Sequence, residues 1–216
     1  MIKLSITPIY YISIILPFVS VIVCWIFYYS MHNKYDGRIK TISETVLYFP
    51  ETRIFGVGLS IESVFVFVLI LIRNTVASDL SVKKNIRFPT LQLFMKIGLI
   101  AIPLGIFSLC TITLLDNAPI HLTGAFFFFI GSIIYFTISD YVLRKLGMNI
   151  SLLSFSVSWL ALGFAILYMT LMSMQKFLSA GAIFQYITSL LIFVKLFLFQ
   201  YDIPNHNVQI TKNNKE

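Results

Sequence analysis

Residues 54–72 read IFGVGLSIESVFVFVLILI, nineteen positions in which Glu62 is the single ionisable side chain. Inside a bilayer each backbone N–H and C=O must be satisfied within its own segment, and a hydrocarbon core about 30 Å thick takes roughly 20 residues of helix. The stretch therefore reads as a membrane-spanning helix. Working outward, blocks of the same kind run from Ile9 to Tyr29, Leu91 to Leu115, His121 to Ile138, Ser151 to Met172 and Ala182 to Gln200. The expected fold is all-α, an integral membrane bundle of about six transmembrane helices over residues 1–203, with a short polar cytoplasmic tail at 204–216. Pro103 within the third block is a candidate kink.

Composition supports lipid as the solvent: 58% of the 216 residues are hydrophobic and 12% charged, too few charges to cover a soluble surface. The net charge of +7 would suit nucleic acid if it formed a stripe, but the Lys and Arg residues fall between apolar blocks, where they act as topology signals. One side collects Lys3, Arg73, Lys83, Lys84, Arg87, Arg144, Lys145, Lys212 and Lys215; the other has Lys34, Arg38, Lys40, Arg53 and Lys176. Basic residues stay preferentially on the cytoplasmic side, so both termini are expected there. Lys83, Lys84 and Arg87 form a modest basic cluster that anchors topology and attracts anionic lipid. The sequon Asn149-Ile-Ser151 then faces the cytoplasm, out of reach of lumenal glycosylation. The first apolar run follows Lys3 like a signal peptide but is too long and lacks a small-residue cleavage site, so it reads as a retained helix.

Cys24 and Cys110 sit inside apolar blocks without C-x-x-C spacing or a nearby His pair, which argues against a disulfide framework or a metal site. No Ser-His-Asp order, phosphate-binding glycine loop or catalytic acid pair stands out, so hydrolase and kinase readings have little support, and no cofactor is expected.

Three blocks carry a family resemblance. The first is Ile42-Ser43-Glu44-Thr45, then Pro50-Glu51, then Phe55-Gly56; the second is His121-x-x-Gly124-Ala125 with Phe128, Gly131 and Tyr135; the third runs from Ala182 and Gln185-Tyr186 to Tyr201-Asp202. In this order they resemble the Frag1/DRAM/Sfk1 family of six-span membrane proteins, over most of the chain. Gln185 stands where that family usually has Glu. The spacing is most similar to the damage-regulated autophagy modulator (DRAM) branch. That resemblance implies a non-enzymatic lysosomal or endosomal membrane protein acting on autophagy or lipid handling. The alternative is the branch related to the CWH43 N-terminal region, whose members act in GPI-anchor lipid remodelling in the Golgi and ER. Expected partners are membrane lipids, a GPI glycolipid or other membrane proteins.

Ser43, Glu44, Glu51, Arg53, His121 and Gln185 belong to the loops and helix ends of one side, where they could converge on a lipid headgroup through charge-assisted hydrogen bonds. Set against this, Glu51 and Arg53 at the start of the second helix serve equally as caps, and His121 as a hydrogen-bonded packing residue. Gly124, Ala125, Gly131 and Ser132 form a small-residue stripe suited to close helix packing. Glu62 lies deep enough that it must face the bundle interior. Lys195 could pair with it, but sits about five residues from a helix end and is read as snorkelling to the interface. A third function, a small transporter, would need a polar path in which Glu62 is the only deep group not otherwise explained.

Overall fold

The structure, a computed structural model, describes residues 2–32, 37–203 and 207–210. Six helices are long and apolar enough to cross a membrane. They are α1 (Thr7–Met31), α3 (Glu51–Lys84), α4 (Pro89–Thr111), the continuous span Leu114–Lys145, α7 (Leu152–Ser173) and α8 (Leu178–Asp202). A short helix, α2 (Ile42–Thr45), interrupts the first loop. The fourth span is built from α5 (Leu114–Phe126), a π-helical turn at Phe127–Gly131 and α6 (Ser132–Lys145). Each span packs on its neighbours in chain order and α8 returns to α1, closing a ring. An antiparallel pairing of β1 (Ile2–Ser5) with β2 (Asn207–Ile210) brings both ends of the chain to one face, called here the terminal face. The opposite, loop face carries α2. Lys34 and the proposed tail charges Lys212 and Lys215 lie outside the described residues.

The sequence blocks and the helices differ most in α3, which runs twelve residues past Ile72. Its 34 residues extend about 51 Å at 1.5 Å per residue, longer than the hydrocarbon core. Hydropathy fades after Ile72, but the backbone keeps its helical bonds until Asn85 adopts a left-handed conformation (φ 54°) and caps the end. At the loop face α5 begins at Leu114, seven residues ahead of the apolar block that starts at His121. Thr113 and Asp116 form a reciprocal capping box, and the irregularity is confined to Asn117 ahead of Pro119.

The terminal half of the bundle is closed by charges that the sequence reading assigned elsewhere. Arg73 was counted among the loop charges and Lys195 was read as snorkelling; both side chains are fully buried. Arg73 donates to Asp140, to Asp202 at 3.2 Å and, through Nε, to Ser139 Oγ at 3.1 Å. Lys195 donates to Asp140 Oδ2 at 2.7 Å and Oδ1 at 3.0 Å and to the Ser154 carbonyl at 3.0 Å. Ser154 Oγ donates to Asp202 at 2.7 Å, and Phe199 lies under the guanidinium at 4.0 Å. Two cations and two anions thus tie α3, α6, α7 and α8 together. Lys195 does not snorkel because Asp140 and Asp202 offer its ammonium a fixed, oppositely charged shell inside the protein. The same engagement separates it from Glu62.

A second bridge joins three helices: Tyr135 donates to Asn74 Oδ1 at 2.9 Å, and Asn74 donates to the Met95 carbonyl at 2.9 Å. Toward the loop face, α4 and α5 approach so closely that a Cβ on Gly124 would lie 2.9 Å from the Gly105 carbonyl and the Leu109 amide. Ser132 is buried, Ala125 packs against the core, and a Cβ at Gly131 would meet only an ordinary contact at 3.7 Å.

Breaking a buried, hydrogen-bonded charge set by removing one member costs about 3–5 kcal/mol, because its partner stays buried and unpaired. Asp140→Asn is expected to lower thermal stability in detergent by that order, and adding Lys195→Met should recover much of the loss. Gly124→Leu should also destabilise, since the side chain would run into the Gly105 and Leu109 backbone and Ser108 Cβ; size-exclusion-monitored melting reads all three.

Candidate functional site

The loop-face ends of the spans are covered by residues 37–50, which the chain folds back over α1, α5 and α8. Folding begins locally. Thr41 caps α2 by accepting from the Glu44 amide at 3.2 Å, while Glu44 Oε2 accepts from the Thr41 amide at 2.8 Å and hydroxyl at 3.0 Å. The Arg38 guanidinium forks onto both Glu44 oxygens. Partial burial pushes the Glu44 pKa up, but the Thr41 donors and Arg38 outweigh it and hold this carboxyl below its ordinary range.

This capped turn is pinned to the bundle by individual hydrogen bonds. The Ile42 amide donates to Gln185 Oε1 on α8 at 2.9 Å, and Gln185 Nε2 donates to the Tyr168 hydroxyl on α7 at 3.3 Å. Tyr186 donates to the Lys40 carbonyl at 3.2 Å, and the Ile39 amide donates to Ser179 Oγ at 3.1 Å. Ser43 Oγ meets His121 Nε2 at 2.9 Å, and His121 Nδ1 lies 2.7 Å from the Ile112 carbonyl. A carbonyl only accepts, so Nδ1 carries the proton, and in the neutral ring Nε2 accepts from Ser43. His121 and Gln185 are thereby committed to positioning α2.

Of the six residues singled out in the sequence, the structure brings Ser43, Glu44, His121 and Gln185 into or around this clasp. Gln185 serves as both acceptor and donor at once, which an amide can do and a carboxylate cannot. Glu51 turns elsewhere: it is fully buried at the start of α3, with Oε1 2.9 Å from His32 Nε2, and its carbonyl accepts from Cys24 Sγ at 3.4 Å. Arg53 points outward and is exposed. Thr41, Arg38, Tyr168 and Tyr186 were not singled out, though Thr41-x-x-Glu44 is a capping-box spacing visible in the sequence.

Beneath the clasp, a groove of about 370 Å³ opens toward the surrounding lipid between α1 and α8. Pro17, Val21 and Trp25 form one wall, Tyr186 and Phe193 the other, and Ile42 the roof. A small internal cavity of about 30 Å³ shares Pro17, Val21, Ile42 and Phe193 with the groove and reaches Ser43 and Gln185. A wider trough of about 650 Å³ lies on another side between α4 and α5, where Gly105 and Gly124 bring the helices together. Among the described residues no cluster of three or more His, Cys, Asp or Glu side chains is placed to hold a metal, and both cysteines are buried free thiols.

Chemically, the clasp offers neutral donors and acceptors plus one ion pair at the rim of an apolar groove. The Ser43 hydroxyl meets the His121 imidazole, whose ring is oriented by its contact with the Ile112 carbonyl.

The lowered Glu44 pKa gives the clasp a pH dependence. A carboxyl depressed in the folded state stabilises above its unfolded pKa, and that contribution fades as pH falls through the folded value. Amide exchange at Thr41 and Ile42 is therefore expected to speed up on acidification below the ordinary carboxylate range, and Glu44→Gln should exchange fast at every pH.

Comparison with curated proteins and with solved structures gives no match. A family model described as the Frag1/DRAM/Sfk1/Cwh43P N-terminal domain matches residues 5–206, which takes in all six spans, the clasp and the groove, and the chain belongs to that family.

Proposed function

We propose that this protein is a non-enzymatic, lipid-binding membrane protein of the DRAM type, modulating autophagy or lipid handling in the lysosomal or endosomal membrane. The observation that carries this reading is the groove between α1 and α8. It opens on the outer surface of the bundle, its lining is almost wholly apolar, and it ends under Ile42 of the clasp, an arrangement that would set its length against acyl chains and its rim near the headgroups. A bilayer lipid is the occupant with that chemistry: a chain along Pro17, Val21 and Phe193, and a headgroup at the rim formed by Arg38, Glu44 and the loop that leads to Arg53. Ser43, His121 and Gln185 then act on the lipid indirectly, by holding the roof.

Orientation follows the charge distribution. With Arg73 withdrawn into the core, Lys83, Lys84, Arg87, Arg144 and Lys145 still mark the terminal face, which supports a cytoplasmic terminal face and a lumenal clasp. The sequon at Asn149 is then cytoplasmic, as are both termini and the polar tail.

The GPI-remodelling reading uses the same groove with a GPI lipid in it and places the protein in the Golgi or ER. The family description covers this branch as well as the DRAM branch. The two readings separate in cells: the DRAM type predicts a lysosomal tag and unchanged GPI-anchor lipids in a knockout, the alternative the reverse.

Leu190 lies on the α8 wall of the groove and is exposed. In lipid nanodiscs a photoactivatable phospholipid is expected to crosslink to the α1 and α8 walls. Leu190→Trp, which narrows the groove from an exposed position, should reduce that crosslinking several-fold with a similar melting temperature. Equal crosslinking in the variant, or crosslinks spread evenly around all six spans, would contradict the lipid-binding reading.

A further inference from the structure

Neither the clasp nor the ionic centre uses Glu62, about 16 Å along α3 from its start at 1.5 Å per residue. Its side chain is fully buried, and neither carboxylate oxygen has a hydrogen-bond donor among the described residues. From α1 the Ser13 hydroxyl faces it, itself fully buried and without a partner. Four residues along α1 stands Pro17, which has no N–H to give to the Ser13 carbonyl. Among the described residues the corner between α1 and α3 thus holds acceptors and a Ser13 hydroxyl that neither carboxyl oxygen engages.

No cation from a neighbouring helix answers this deficit. On α4, Lys96 is exposed and Cys110 meets Ser60. On α6, Asp140 is held in the ionic centre, while Arg144 lies over Phe155 and Lys145 over Tyr141. On α8, Lys195 and Asp202 are bound in the ionic centre, and on α3 itself so is Arg73. The titratable groups of α1 are Tyr10, Tyr11, Tyr28, Tyr29 and Cys24, none of which supplies positive charge. An ionised carboxylate left alone at this depth is strongly disfavoured, whereas the neutral acid brings the missing O–H donor.

We propose that Glu62 and Ser13 form a proton-binding site in the bilayer interior, in which Glu62 carries the proton as a carboxylic acid and donates it to an oxygen of Ser13. The ligand is a proton and not a metal ion, because a divalent cation takes about six oxygens and this corner supplies two carboxyl oxygens and those of one serine. Releasing the proton requires α1 and α3 to part enough to admit water, so exchange at this site reports opening of that helix contact.

Infrared difference spectroscopy of the full chain in lipid nanodiscs, wild type minus Glu62→Gln, tests the assignment at neutral pH. The wild type is expected to show a protonated-carboxyl C=O band that the variant lacks, unchanged when sodium replaces choline in the buffer. Glu62→Asp should move that band without abolishing it, and gives the readout if the Gln variant fails to fold. Loss of an ionised-carboxylate band instead, or a band that sodium converts to the ionised form, would overturn the proposal.

Discussion

Four charged side chains with no access to water set the terms for this bundle. A buried ion is tolerated only when opposite charge and hydrogen bonds replace the water it lost, and Arg73, Asp140, Lys195 and Asp202 do this for one another with help from Ser139 and Ser154. Because the four come from three helices and Ser154 adds a fourth, satisfying any one of them fixes the relative depth and rotation of α3, α6, α7 and α8. Lipid offers helices no hydrophobic reason to associate. A charge set of this kind gives the terminal half of the bundle an arrangement that is hard to exchange for another.

The loop half is held differently. There the contacts are mostly individual hydrogen bonds from a loop to helix ends, Ile42 to Gln185 and Ser43 to His121 among them, with Arg38 and Glu44 as an ion pair at the rim. Contacts of this strength cost far less to break than a buried ion pair. The groove between α1 and α8 opens in this softer half, under a roof that depends on a single capped turn. A rigid base beneath a yielding rim suits the proposed admission of a lipid from the side.

Span number and the membrane setting were legible in the sequence because a long apolar run has few alternatives in water or in lipid. The ionic centre was not, and the reason lies in a few residues. Ending the second block at Ile72 put Arg73 one position outside it, and ending the fourth at Ile138 put Asp140 two positions outside. Arg73 was then counted as a loop charge, and Asp140 was not singled out. Charge itself truncates a hydropathy block, so a reading that stops at charges cannot see that they pair across the bundle. Within the clasp, Ser43, Glu44, His121 and Gln185 lie together on one face. Their engagement with backbone groups depends on how residues 37–50 fold back, which hydropathy does not encode. Glu51 was drawn instead to His32 by the geometry at the start of α3.

The most direct test is magic-angle-spinning NMR of the protein in lipid, with nitrogen-labelled lysine and carbon-labelled aspartate. Pairing inside the protein predicts a through-space correlation from the Lys195 ammonium to the Asp140 carboxyl carbon, and none to lipid phosphorus. A Lys195 signal that instead correlates with phosphate and exchanges freely with water would show the side chain reaching the interface, and the ionic centre would not exist.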